Sequence, residues 1–184
     1  LLMVPKNTDD FEGKYNLLRE ALQNTGVVTE IAESSSPLTE VWNSNGGFEW
    51  EGKDPNQITN MVTFFVSHDY GKTVEWDISK GRDFSRAFGT DSTAFILNRA
   101  AVDFMGLDNP IGQTIKWGKR PYKVIVVVEI LLTESPFHPV KPSIYMIDYE
   151  NTNWIELKLA PYQSLKESLA RIETVFLDFA PEVP

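Results

Sequence analysis

The sequence predicts an α+β fold: a porter-like βαβ-type lobe, made of a sheet with helices on one face, with a second mixed α/β lobe inserted into it. Three observations predict it. Two amphipathic helical stripes lie near opposite ends of the chain, β-branched and aromatic runs flank both, and a central block differs from its flanks in charge and turn chemistry. Outside that block the elements run strand–helix–strand–strand and then strand–strand–helix, an order that suits one layer of helices on one sheet.

Residues 1–4 form a short apolar start. Phe11, Tyr15, Leu18 and Leu22 then recur at helical spacing, with Leu17 and Ala21 widening the stripe. Asp9 precedes Glu12 by three positions, the spacing of a capping box, and Gly26 supplies a stop. Val27, Val28 and Ile31 lie in a stretch that runs into Ser34-Ser35-Ser36-Pro37, which reads as a polar turn. Residues 43–47 read as a loop tip between Trp42 and the Phe48/Trp50 pair. Residues 58–66 are rich in strand formers, as are residues 144–147. In Trp154–Leu159 the charged Glu156 and Lys158 alternate with apolar neighbours, the pattern of a half-solvated strand. Pro161, Ser164 and Glu167 then open a second helix, whose stripe is Leu165, Leu169, Ile172 and Phe176, flanked by Val175 and Phe179.

The central block differs. Residues 94–97 make a short strand, and residues 98–105 a short helix with Asn98 at its N-cap and Gly106 at its end. Asn109-Pro110 and Gly112 are turn chemistry. Residues 113–117 and 122–132 pair as strands around Gly118-Lys119-Arg120-Pro121. Residues 73–141 hold 9 Lys+Arg and 8 Asp+Glu, whereas the flanking parts hold 8 and 18. The contrast predicts two units: residues 1–72 with 142–184 as the lobe formed by both chain ends, and residues 73–141 as the inserted distal lobe.

Composition narrows the chemistry. The chain has 184 residues, a net charge of −9 and no cysteine. Thiol catalysis, disulfides and Cys-zinc sites are therefore excluded, and the acidic balance argues against a nucleic-acid partner. His68 and His138 are the only histidines, too few for a His-rich metal site or a Ser-His-Asp triad with choices. Asp9/Asp10, Glu49/Glu51 and Asp148/Glu150 read as solvated carboxylates. Trp42, Phe48, Trp50 and Trp154 read as core or loop anchors, with a sugar-stacking platform as the alternative. No phosphate-binding glycine loop occurs. The expectation is no catalytic, cofactor-binding or metal-ligating residue. No apolar run reaches the ~20 residues that span a bilayer. The first residue is Leu1 rather than Met, and this start is the expectation for a piece of a longer protein.

The most specific series lies in the central block: Gly81-Arg82-Asp83-Phe84-Ser85, then residues 94–101 (AFILNRAA), Met105-Gly106-Leu107, residues 109–115 (NPIGQTI), Tyr122-Lys123-Val124-Ile125 and Lys141-Pro142. This ordered series resembles the MacB-like periplasmic core domain of MacB/FtsX-type ABC-transporter permeases, in which a GRDF segment, a V-I-L-N-E-A-A helix start, an N-P-I-G-x-x-I turn, a V-I-G-V-V strand and a K-P end recur. Three positions depart from that pattern: Val126 stands for its glycine, Arg99 for its usual acidic residue, and Glu129 for its basic residue after the valines. The resemblance implies an extracytoplasmic domain of a permease subunit in the inner (cytoplasmic) membrane, lying on the periplasmic side between membrane helices. It implies no enzyme activity of its own. ATP would be hydrolysed by a separate cytoplasmic ABC ATPase domain or subunit, and the domain would pass that motion to partners in export or efflux. Those partners would be the second permease protomer and a periplasmic adaptor protein. The alternative is a carbohydrate- or peptide-binding module built on Trp42, Phe48 and Trp50, and a third reading is a carboxylate-dependent hydrolase.

Overall fold

The structure, a computed structural model, describes residues 1–6, 9–129 and 139–181. His138, the end of the strand expected over 122–132 and the last three residues lie outside them. The elements in chain order are β1 (Leu2–Pro5), α1 (Tyr15–Asn24), β2 (Val28–Ser34), β3 (Ser44–Gly46), β4 (Phe48–Glu49), β5 (Asn60–Val66), α2 (Tyr70–Val74), β6 (Asp77–Gly81), β7 (Ala94–Asn98), α3 (Arg99–Met105), β8 (Thr114–Trp117), β9 (Arg120–Glu129), β10 (Ser143–Ile147), β11 (Trp154–Leu159) and α4 (Leu165–Phe179). The fold is α+β, as the sequence predicts: a large mixed sheet with few helices.

Among the described residues the strands form one eleven-stranded sheet in the order β1-β11-β2-β5-β10-β7-β9-β8-β4, with β3 on β5 and β6 on β9. The pairs β5–β10 and β7–β9 are parallel; the others are antiparallel. The valine run of β9 suits its place, because Val124, Val126, Val127 and Val128 are buried against neighbours on both edges. β10 joins the strands of the chain-end part to those of the central block, with Tyr145 opposite Phe64 on β5 and Ile96 on β7.

Side-chain alternation along these strands separates three apolar clusters. Phe11, Tyr15, Leu18, Leu22 and Ile172 pack α1 and α4 on Ile31, Ile155 and Leu157. Ala101, Val102 and Met105 of α3 pack with Leu97, Ile144 and Met146. The opposite face carries Ala32, Phe64, Val66 and Tyr145, covered by Tyr70 and Val74 of the short α2. Burying a side chain of the size of Leu22 or Ile31 contributes about 1.5–3 kcal/mol, so these clusters dominate the stability.

Several local expectations are corrected. The stripes of the two end helices are narrower than the sequence implies: Leu17, Leu165 and Leu169 are exposed, while Leu18, Leu22 and Ile172 face the sheet. Helix α1 begins at Tyr15 rather than near Asp9, because Asp9–Phe11 forms a separate 3-10 turn and Gly13 adopts a positive φ of 66° between them. Neither Asp9 nor Ser164 makes a capping box; Ser164 is the N-cap of α4 without a side-chain hydrogen bond. Residues 44–46, expected at a loop tip, form β3 against β5. By contrast, Asn98 caps α3 by accepting from Ala101 N at 2.7 Å, and Gly106 ends it at φ 66°.

Candidate functional site

A buried polar cluster is centred on Asp69, in the turn between β5 and α2. Its carboxylate is buried and meets side chains from two other segments, α1 and the stretch after β6. Arg86 donates from its NH1 to Oδ1 at 2.8 Å and sits 2.6 Å from Oδ2 through NH2. The hydroxyl of Tyr15, the first residue of α1, lies 3.0 Å from Oδ2 and 2.8 Å from the Ile31 carbonyl oxygen. Arg19, one turn further along α1, completes an ion pair at 3.5 Å. Ser67 donates to the Tyr15 hydroxyl at 3.3 Å and accepts the Glu33 N–H at 3.0 Å. The Tyr149 hydroxyl, just beyond β10, lies 2.8 Å from His68 Nδ1 and 3.3 Å from Arg86 NH2.

The electrostatics follow from this packing. Burial by itself would raise the Asp69 pKa, but the Arg86 hydrogen bond and charge outweigh it and hold the carboxyl below its ordinary value. The Arg86 guanidinium is raised in turn, chiefly by its bond to Asp69. Burial, and then the Arg86 charge, lowers His68, so the imidazole favours its neutral form. A second triad adjoins: Lys6 Nζ lies 3.3 Å from Glu33 Oε1 and donates to Thr152 Oγ1 at 3.0 Å, and Thr152 donates to Glu33 Oε2 at 3.2 Å. A cleft of about 330 Å³ opens between the two groups, lined by Lys6, Phe11, Glu33, His68, Arg86 and Tyr149.

This arrangement ties segments together. Tyr15 and Arg19 belong to α1, Ser67, His68 and Asp69 to the β5–α2 turn, Arg86 to the stretch after β6, and Tyr149 to the exit of β10. Among the described residues no group of three or more His, Cys, Asp or Glu side chains stands at metal-holding distance. Sequence reasoning missed the cluster, because its members are dispersed from position 15 to position 149. Only the adjacent His68-Asp69 was visible as a pair.

The GRDF segment makes a second fastening. Arg82 grips the fully buried Asp91 through NH1–Oδ2 at 2.7 Å and NH2–Oδ1 at 2.5 Å, and Asp91 also accepts from Ser85 N at 2.8 Å. Asp83 accepts from Phe84 N at 2.7 Å and from Trp76 Nε1 at 3.2 Å, and burial pushes its carboxyl up to about 6. Gly81 is required by its backbone: its φ is +98°, and an added Cβ would stand 2.3 Å from the Ile125 carbonyl oxygen.

The other candidate residues separate. Phe48 and Trp50 are buried, Trp50 Nε1 donating to Met105 O at 3.0 Å and Phe48 stacking on Trp117 at 5.6 Å. Trp42 packs instead on Trp154 at 5.4 Å, so the four aromatics form no shared platform. Glu49 and Glu51 are exposed, with Glu49 bound to Lys53 at 2.6 Å. Asp148 accepts from Glu150 N and Asn151 N in a turn. The serine triplet is a correction: Ser34, Ser35 and Ser36 are buried and bind, respectively, Glu156, Phe65 N and Trp42 N. Glu156 is a second correction, being fully buried rather than half solvated. The face of β11 that carries it is closed by α2, an element too short to register as a periodic pattern.

No protein-family model matches the chain, and no curated protein matches it. Solved structures do. The periplasmic region of MacB from Actinobacillus actinomycetemcomitans superposes with a TM-score of 0.64 at 14% identity, over 96% of this chain and 81% of that one. The extracellular domain of the noncanonic ABC-type transporter YknZ from Gram-positive bacteria gives 0.63 at 14% identity, over 96% and 91%. A domain of a protein described as a permease from Porphyromonas gingivalis gives 0.58 at 16%, over 89% and 78%. Two departures from the sequence pattern meet in space: Arg99 Nε lies 3.1 Å from Glu129 Oε1. In fold, the chain is similar to the periplasmic region of MacB and to the extracellular domain of YknZ.

Proposed function

We propose that this chain is the extracytoplasmic domain of an ABC-transporter permease subunit, placed on the outer side of the cytoplasmic membrane. There it relays motion from a separate ATP-hydrolysing domain or subunit to partner proteins in export. The observation that carries this reading is the fold shared with the MacB periplasmic region and the YknZ extracellular domain over nearly the whole chain. The Asp69 cluster supports the relay: a buried ion-pair joint between α1, the β5–α2 turn and the segment after β6 resists relative sliding of these parts, as rigid-body transmission requires. The residues of the site are held by one another, which suits a structural joint and gives no support to a hydrolase. The dispersal of Trp42 from Trp50 removes the basis for a glycan- or peptide-binding platform.

The β8–β9 hairpin supplies a surface for partner contact. Lys116, Lys119, Arg120 and Lys123 are all exposed on it, in a chain of net charge −9. In the full-length transporter, reversing these four to glutamate is expected to abolish export and association with the adaptor or the second protomer, while ATP turnover persists. Export and association both unchanged would refute the contact role.

A further inference from the structure

We propose that Glu156 is held in the folded domain as the neutral acid, donating its proton to Ser34 Oγ, so that the packing of β2, β11 and α2 depends on keeping that proton. The Ser34 hydroxyl has one hydrogen and two close partners, the Ser36 carbonyl oxygen at 2.6 Å and Glu156 Oε1. A carbonyl oxygen can only accept, so the serine hydrogen belongs to Ser36 O. The remaining bond needs a donor, and the only atom there to supply one is a protonated Glu156 carboxyl. An ionised carboxylate would force Ser34 to choose, leaving one buried acceptor unmet.

The surroundings agree from every side. Glu156 is fully buried, and its Oε2 makes no hydrogen bond. Across β2 stand Ser34 and the carboxyl of Glu33, whose charge disfavours a second anion. On the other edge the register places Met3 of β1 opposite. From α2 the Tyr70 hydroxyl lies close enough to be raised by a charge at Glu156, and the lone basic residue of that helix, Lys72, is exposed. Along β11 the nearest cation is Lys158, already bound to Glu75 at 2.6 Å, and Trp154 is uncharged. No described basic group pairs with Glu156. Burial, followed by the nearby Glu33, raises the carboxyl to about 8 despite the opposing Ser34 bond.

The sign follows from linkage. The carboxyl ionises near its ordinary value in the unfolded chain and near 8 in the folded one. Its contribution is therefore complete below about pH 4.3 and is lost as pH rises towards 8. Within that window one proton separates the two states, so the folding equilibrium constant falls about tenfold per pH unit from this group. The test uses the 184-residue chain. Carbon-13 NMR of the Glu156 carboxyl should show a midpoint near 8, and urea unfolding of Glu156→Gln, an uncharged isostere, should lose that slope between about pH 5 and 8. A carboxyl midpoint in the ordinary range of about 4–5, or a glutamine variant with the parent's slope, overturns the proposal. The carboxyl titration is read on the unmutated chain, so it decides the matter even where the variant does not fold.

Discussion

Asp69→Ala is the sharpest test of the joint between α1 and the central block. The substitution removes a buried carboxylate that receives two Arg86 contacts, at 2.8 and 2.6 Å, and the Tyr15 hydroxyl at 3.0 Å. Breaking a buried pair by deleting one partner costs about 3–5 kcal/mol when the orphaned charge stays buried. Here the Arg86 side chain is 40% exposed and can rehydrate, and Tyr15 keeps Ile31 O. The expected loss therefore falls to about 2–3 kcal/mol, with Arg86→Ala costing about 1 kcal/mol less because Asp69 retains Tyr15 and Arg19. The double variant should cost less than the sum, since both remove one interaction. Urea unfolding at pH 7 measures all three. The acid limb gives a second readout. Asp69 is held below its ordinary value, so its contribution is present above the unfolded pKa of about 3.9 and is lost as pH falls through the folded value. Asp69→Asn should flatten that limb. A loss under ~0.5 kcal/mol for Asp69→Ala, or additive single variants, would refute the joint.

Other outcomes are equally definite. Asn98→Ala removes an acceptor for Ala101 N and Ser143 N and the donor to Lys141 O, and should cost about 2–4 kcal/mol in chemical unfolding. Gly81→Ala, at φ +98° with the Ile125 carbonyl 2.3 Å from the new methyl, should lower the melting temperature by an amount equivalent to about 2–4 kcal/mol. Reversing either charge of the exposed Arg99–Glu129 pair should cost only ~0.5–1 kcal/mol, and the double reversal Arg99→Glu with Glu129→Arg should restore the parent stability.

The strands were legible where local chemistry and tertiary setting agree. Residues 94–105 are the clearest case: a β-branched and aromatic run, an asparagine at the cap and a glycine after the last turn specify strand, helix start and helix end without outside help. Trp154–Leu159 shows the limit. Its alternation marks the strand's bounds, but alternation says only that two faces differ, and it cannot tell solvent from α2. The same limit explains Leu17, Leu165 and Leu169, apolar positions whose burial depends on where neighbouring elements stop. The Asp69 cluster was illegible for a topological reason. Tyr15, Asp69, Arg86 and Tyr149 approach only after the sheet is assembled, and no spacing along the chain encodes their meeting.

The position of β10 carries a consequence for how the molecule acquires its shape. Ser143 pairs with Val62, and Ile144 with Leu97, so this strand fills a gap between partners made long before it in synthesis. Until it arrives, β5 and β7 each present an open edge, and the parallel pairing that closes β5 spans about 80 residues, a separation that slows folding. Truncation before residue 143 would leave two unzipped borders prone to association, rather than a smaller stable protein.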